Sequence, residues 1–212
     1  MNKKDMESRA YNFDIMSERA EDGEFRLGGN PIVYGVETDI GGWFREIIQA
    51  GALDNADLTD VPLLVNHNDR MIPVARSRRN TPNSTLQLKP NERGLEMEAR
   101  LDVENNATSR ELASAVERKD ITGMSFRFSI ADERWEDLNT DYPTRYILAF
   151  DKIAEVSAVT WPAYDATSIY ARSKEALESA RSALESARQQ ECEPLDSGEL
   201  ELLKAKTITL TL

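Results

Sequence analysis

Two stretches of alternating apolar and polar residues limit the possible folds of this chain more than any other feature. Residues 95–101 carry Leu, Met, Ala and Leu at every second position, and charged side chains fill the positions between them. Residues 124–130 repeat this pattern with Met, Phe, Phe and Ile. Because successive side chains of a strand point to opposite faces, a period of 2 is typical of half-buried strands. The sequence therefore predicts sheets that each cover a core with one face.

The remaining segments favour a mainly β fold with few helices. Pro90 to Gly94 is a turn by composition, so residues 84–101 are predicted to form an antiparallel hairpin. Leu112 and Val116 lie four positions apart, which predicts a helix over 106–119. Regular alternation of strands and helices is missing, as is a Gly-rich phosphate loop, so a doubly wound parallel fold is disfavoured. Further strands are predicted at 30–36, 61–65, 145–150 and 152–159.

The C-terminal part of the chain differs from the rest. Residues 176–182 and 183–189 form a seven-residue near-repeat of good helix formers. Its apolar positions follow the 3-4-3 spacing of a coiled-coil seam, at Leu177, Ala180, Leu184 and Ala187. We therefore predict a main domain at 1–172 and a helical extension at 173–212, which ends in strand-like alternation over 207–212.

The composition excludes several kinds of site. The chain of 212 residues has one Cys and one His, too few for a disulfide framework or a zinc site of nitrogen and sulfur ligands. We therefore expect no cofactor and no metal. A formal charge of −12 argues against a nucleic acid partner. No apolar run approaches the ~18–20 residues that span a bilayer, and the N-terminus lacks a secretory pattern, so we expect a cytosolic protein without a membrane partner.

Two polar residues could carry catalysis, although each also has an ordinary explanation. His67 follows the apolar run 61–65 and is either a loop residue that bonds its neighbours or a general base. Ser125 lies on the polar face of its strand and is either a solvent-facing serine or a nucleophile. A nucleophilic serine needs a base within hydrogen-bond reach. If a histidine activates any serine here, that base must be His67.

Glu155 is the third candidate, because it lies in a segment that is largely apolar on both faces. A buried carboxylate needs a charged or hydrogen-bonding partner. The partner could be an arginine, such as Arg145 or Arg127. It could also be His67, whose tautomer a carboxylate would fix.

At this point the order of several short motifs resembles a known family. The motifs are Trp43-Phe44-Arg45-Glu46-Ile47-Ile48, Asn66-His67-Asn68, Gly123-Met124-Ser125-Phe126, Glu155-Val156-Ser157 and Trp161-Pro162-Ala163-Tyr164. Together they resemble the prohead (capsid maturation) proteases of tailed bacteriophages, which are similar in fold to the herpesvirus assemblins. The resemblance extends over about residues 8–170.

The resemblance implies a serine peptidase with Ser125 as nucleophile, His67 as base and Glu155 as the acidic third member. It also implies an antiparallel β-barrel of the herpesvirus-protease type, surrounded by helices. The expected substrate is the major capsid protein precursor or a scaffold segment. We expect a homo-oligomer that acts in the host cytoplasm, inside the assembling procapsid. Self-processing is also expected, and it would remove the extension at 173–212, which we interpret as an assembly tether.

Two other functions remain open on the sequence alone. One is a non-catalytic capsid assembly or scaffolding factor with the same fold. The other is a metal hydrolase that depends on carboxylates, although the sequence has no Asp-x-Asp-x-Asp-Gly calcium loop.

Overall fold

The computed structural model describes residues 6–11, 15–20, 24–160, 168–169 and 174–192. The Trp161-Pro162-Ala163-Tyr164 motif and the predicted strand at 207–212 lie outside these residues. The helices are α1 (Ala107–Glu117) and α2 (Lys174–Cys192). The strands are β1 (Glu7–Tyr11), β2 (Met16–Arg19), β3 (Phe25–Val33), β4 (Glu37–Ile40), β5 (Phe44–Ile48), β6 (Asp60–Val65), β7 (Ala75–Arg78), β8 (Leu86–Asn91), β9 (Gly94–Leu101), β10 (Gly123–Glu136), β11 (Thr144–Val159) and β12 (Ser168–Ile169).

The described strands form two sheets. The larger one has the order β1-β10-β11-β5-β4-β12, and β6 joins it by pairing with β11 and β7. The smaller one has the order β2-β3-β9-β8. Strand β11 is long enough for its second edge to pair with β5 near its start and with β6 near its end. The prediction of a mainly β fold with few helices is confirmed.

The predicted antiparallel barrel needs correction, because the described strands close no barrel. The smaller sheet is antiparallel, but the larger sheet is mixed, since β11 runs parallel to β5 and β6. Alternation along a strand shows which of its faces is buried. It does not show which other strand pairs with it, or whether that partner runs parallel or antiparallel. The sequence patterns therefore could not predict how strands far apart in the chain pair with each other.

Several local predictions are confirmed. Strands β8 and β9 pair as the predicted hairpin, with Leu86 opposite Ala99. Helix α1 begins after Asn106, whose side chain accepts a hydrogen bond from the backbone N–H of Ser109 at 3.2 Å. The two strands predicted at 145–150 and 152–159 are one continuous strand, β11. Bulges interrupt its pairing with β10 at several positions between Arg127 and Glu133.

Helix α2 packs against the larger sheet. Ala180 and Leu184, two positions of the predicted seam, are buried against Ile40 and Phe44. Arg188 donates to two backbone carbonyls of the segment between β10 and β11, at 2.8 and 3.2 Å. Ala180 and Leu184 are thus covered by the body of the protein. The division of the chain at 172/173 stays a prediction.

A cluster of buried ion pairs fixes β1 in the larger sheet. Arg9 contacts both carboxylate oxygens of Glu46 at 2.6 and 2.7 Å. Arg145 contacts both oxygens of Glu7 at 2.8 and 2.9 Å and also reaches Glu133. Such two-point contacts between guanidinium and carboxylate groups are the strong form of the ion pair. Because the members come from β1, β5, β10 and β11, the cluster joins four strands.

The charges of this cluster make folding depend on pH. Burial by itself raises the pKa of Glu7, but Arg9 and Arg145 outweigh it and lower the pKa from 4.5 to about 2. A carboxyl group with a lowered pKa stabilises the folded state fully above its unfolded value. That stabilisation is lost as the pH falls towards the folded value.

We predict that Glu7→Gln lowers the free energy of unfolding at pH 7 by about 3–5 kcal/mol, because it leaves buried arginines short of a counter-charge. The loss of stability between pH 4.5 and about 2 should also be less steep than in the wild type. Urea unfolding at a series of pH values measures both effects. Glu96→Gln, a change at an exposed position of β9, is the matched control and should leave both unchanged. A wild-type pH profile for Glu7→Gln would contradict the assignment.

Candidate active site

The turn after β6 holds His67 in an unusual backbone conformation. Asn66 and His67 have φ values of 51° and 58°, in the left-handed region that residues other than glycine rarely adopt. The backbone N–H of Asn66 donates to the carbonyl of Ala158 at 2.9 Å, which continues the pairing of β6 with β11 into the turn. The parallel strands thus carry His67 to the end of β11.

The side chain of Asn66 also binds this turn to the residue that follows β11. Its Nδ2 donates to Thr160 Oγ1 at 3.0 Å, and its Oδ1 accepts from the Thr160 backbone N–H at 2.9 Å. Left-handed residues that persist in a structure need support from their surroundings, and they cluster at functional sites. The Asn66–Thr160 pair supplies this support on the outer side of the turn.

His67 and Glu155 are in direct contact. Nδ1 of the imidazole is hydrogen-bonded to Oε1 of the carboxylate, as the catalytic interpretation of Glu155 requires. An ionised carboxylate only accepts hydrogen bonds, so it selects the tautomer with the proton on Nδ1. That tautomer leaves Nε2 free to accept a proton.

The structure also shows which of the candidate partners Glu155 contacts. Its side chain is 4% exposed, and His67 and Ser157 both bind it. Of the two arginines considered, Arg127 lies with Nε 4.0 Å from Oε1. Arg145 belongs instead to the buried cluster with Glu7. The partners of Glu155 thus include His67, in direct contact, and Arg127, at a longer distance.

Ser125 lies on the neighbouring strand, close to this pair. The β10–β11 register places Ser125 opposite Ser157 and Arg127 opposite Glu155. Residues directly opposite each other in a sheet share a face, with Cβ atoms about 4.5–5.5 Å apart. Ser125 is 1% exposed, so the sequence-based alternative of a solvent-facing serine is wrong.

The hydroxyl of Ser125 is directed towards β1. Its Oγ donates to the backbone carbonyl of Arg9 at 2.7 Å. Among the described residues, no hydrogen bond joins Ser125 to His67, so the structure brings the base and the acid together but leaves the serine turned away. Hydrogen bonds between catalytic groups are often absent or long in enzymes without substrate.

A surface pocket gives access to the imidazole. It has a volume of about 570 Å³ and is lined by His67 together with Val65, Asp69, Met71 and Glu111. Met71 and its neighbour Ile72 are exposed apolar side chains at its edge. A larger groove of about 1150 Å³ lies on the smaller sheet, lined by residues of β2, β3 and β9. The pocket at His67 is the one that combines access with the candidate acid–base pair.

The described residues contain no group of three or more His, Cys, Asp or Glu side chains that could hold a metal ion. Within the same part of the chain, neither helix is sufficiently long and apolar to cross a membrane.

Ser157 belongs to this site, although no pattern in the sequence assigns it a role. Its Oγ accepts a hydrogen bond from the backbone N–H of His67 at 3.2 Å and donates one to Glu155 Oε2 at 2.6 Å. The signal available in the sequence was its place two positions after Glu155, because residues i and i+2 of a strand share a face. That spacing alone cannot distinguish a contact to the site from an ordinary strand serine.

With this geometry in place, comparison with known families identifies the class of protein. The chain matches the family described as caudovirus prohead serine protease, Peptidase_S78, over residues 11–181. The match covers most of the chain, so the protein belongs to this family of serine peptidases, and the resemblance inferred from the motifs is confirmed.

One solved structure with a similar chain is that of the bacteriophage T4 capsid assembly protease, gp21. It shares 14% identity with this chain, covers 76% of this chain and 100% of its own, and gives a TM-score of 0.44. This likeness is too weak to support any statement about the site. No curated protein matches the chain significantly.

We predict that Asn66→Ala destabilises the turn that presents His67. The change removes the side-chain bonds to Thr160 and places alanine in the left-handed region, which should lower the free energy of unfolding by about 1–2 kcal/mol. Urea unfolding measures this loss. Asn83→Ala is the control, because Asn83 is exposed, has no positive φ and makes no side-chain hydrogen bond among the described residues. Equal stability of the two variants would show that the Asn66–Thr160 pair does not hold the turn.

Proposed function

We propose that this protein is a serine endopeptidase that cleaves capsid or scaffold precursor proteins during phage prohead maturation. The observation that carries the proposal is the hydrogen bond between His67 Nδ1 and the buried Glu155 carboxylate, one strand away from Ser125. Membership of the prohead protease family supports the same conclusion from the sequence. The expected substrate is the precursor of the major capsid protein or a scaffold segment.

The proposed reaction follows the general scheme of serine peptidases. Ser125 Oγ attacks the carbonyl carbon of the scissile peptide bond while His67 Nε2 takes the hydroxyl proton. The imidazolium passes this proton to the leaving amine, and water then hydrolyses the acyl-enzyme by the same route. Glu155 accepts the hydrogen bond from Nδ1 throughout, which stabilises the imidazolium and keeps Nδ1 protonated.

Ser125 has to change its hydrogen bond before it can react. Rotation about its Cα–Cβ bond would move Oγ away from the Arg9 carbonyl and towards the side of the strand on which Ser157 and His67 lie. Ser125 is also almost fully buried, so a bound peptide must gain access to it by displacing covering groups. We therefore propose that substrate binding aligns Ser125 with His67.

The proposal includes where and with what the enzyme acts. We propose that it works as a homo-oligomer inside the procapsid, in the host cytoplasm, without a nucleic acid or membrane partner. Self-cleavage would release residues of the extension at 173–212. Since Ala180 and Leu184 are packed against the body, a cut upstream of them would also detach an apolar contact from the larger sheet.

We predict that Ser125→Ala and His67→Ala abolish processing of a coexpressed capsid precursor, because each removes a group that transfers the proton or forms the acyl bond. Glu155→Gln should slow processing by about 10⁴-fold or less and leave measurable product, as a neutral partner no longer stabilises the imidazolium. Gel analysis of the precursor over time measures the rates.

Ser129→Ala is the control for loss of a buried hydroxyl on the same strand, since Ser129 bonds Asp151 and lies outside the site. It should process the precursor at the wild-type rate. Full processing by Ser125→Ala would contradict the proposed mechanism. Wild-type protein that never processes the precursor would instead favour the non-catalytic assembly factor.

Self-cleavage can be tested by mass spectrometry of the full chain after expression. The wild type should lose a C-terminal fragment and Ser125→Ala should keep its full mass of 23.9 kDa. Equal masses in the two samples under assembly conditions would refute self-cleavage while leaving cleavage of other substrates open to the previous test.

A further inference from the structure

We propose that Ser157 is a positioning residue that holds the His67–Glu155 pair in its reactive arrangement. This inference rests on the proposed function. Ser157 is 0% exposed and contacts both members of the pair, accepting the His67 backbone N–H at 3.2 Å and donating to Glu155 Oε2 at 2.6 Å. It thus connects the base and the acid by a path separate from their own hydrogen bond.

The two contacts restrict two different motions. A carboxylate bonded through one oxygen can rotate about its terminal bond, but Glu155 is bonded through both, with Oε1 on His67 and Oε2 on Ser157. The bond from the His67 backbone to Ser157 Oγ ties the left-handed turn to β11 beneath it. Ser157 therefore fixes the direction of the carboxylate and the height of the imidazole above the sheet.

The same contacts argue against Ser157 as the nucleophile. A hydroxyl has one proton to donate, and Ser157 donates it in a hydrogen bond to Glu155. A lone pair of its oxygen is occupied by the His67 N–H. Using Ser157 for attack would break the bond that orients the carboxylate. Among the described residues Ser125 has neither contact, and its hydroxyl bonds to one backbone carbonyl, which a rotation would release.

A positioning role matters most when charge develops. In the transition state the imidazole becomes an imidazolium, and the carboxylate stabilises it only when the two remain aligned. Without the Ser157 hydroxyl, Oε2 of a buried carboxylate loses its partner, which favours rearrangement of the pair. The expected effect is therefore on the rate of the chemical step, more than on binding.

The test compares Ser157→Ala with Ser157→Thr, which restores a hydroxyl at the same position. Ser77→Ala is the matched control, because Ser77 is equally buried and its Oγ has no hydrogen-bond partner among the described residues. The first readout is the rate at which a fluorophosphonate probe labels the protein in procapsids, whether or not the C-terminal extension is still attached. We expect Ser157→Ala to label about 10- to 100-fold more slowly, the size of loss found when the hydrogen-bond partners that orient metal-binding histidines are removed. Ser157→Thr should recover most of the rate, and Ser77→Ala should match the wild type.

The second readout is the imidazole NMR spectrum, which is unambiguous because the chain has a single histidine. The Nδ1 proton that binds Glu155 should give a sharp resonance in the wild type, in Ser77→Ala and in Ser157→Thr. In Ser157→Ala it should shift and broaden through faster exchange with water. Thermal unfolding of each variant shows that it is folded, and the spectrum reports on the pair even in a variant that is not labelled.

The outcomes separate this inference from the proposed function. Wild-type labelling and an unchanged Nδ1 resonance in Ser157→Ala would overturn the positioning role, while Ser125→Ala could still abolish labelling. If Ser157→Ala abolishes labelling and Ser125→Ala preserves it, Ser157 is the nucleophile, and both the inference and the proposed mechanism fail. Slow labelling of Ser157→Ala with rescue by Ser157→Thr supports the positioning role.

Discussion

The pairing of β10 with β11 is the constraint on which the rest of the site depends. Its register sets Ser125 opposite Ser157 and Arg127 opposite Glu155, so one face of two adjacent strands carries the polar groups. The opposite face of β10 packs Phe126 and Phe128 into the core, which holds this register, because a slip by one residue would exchange the two faces. Strand β6 then pairs with the free edge of β11 and brings His67 to the same place.

The buried ion pairs and the site are connected through β1. Arg9 contributes its side chain to the cluster with Glu46 and its backbone carbonyl to the hydroxyl of Ser125. The same residue therefore stabilises the sheet and holds the candidate nucleophile away from the base. Buried ion pairs of this kind contribute less to net stability than their number suggests, but breaking one is costly. The position of β1 is accordingly well fixed. The hydrogen bond from Ser125 to the Arg9 carbonyl therefore also has a fixed position.

The sequence predicted the local elements better than their arrangement. Alternation in 95–101 identified β9, and the spacing of Leu112 and Val116 identified α1, because local periodicity reflects burial directly. The parallel pairing of β11 with β6 depends on residues about 90 positions apart, which no local pattern encodes. The same limit applies to the site: Glu155 was correctly expected in a buried strand, whereas its choice of His67 over Arg145, and the part played by Ser157, required the three-dimensional structure.

We propose that Ser125 is the residue that His67 activates. Peptide mapping by mass spectrometry of procapsid-associated protein, after reaction with a fluorophosphonate, identifies the activated residue. We expect one phosphonylated residue, Ser125, in the wild type and no modified serine in His67→Ala. A label on Ser157, or on Ser125 to the same extent in His67→Ala, would contradict this proposal.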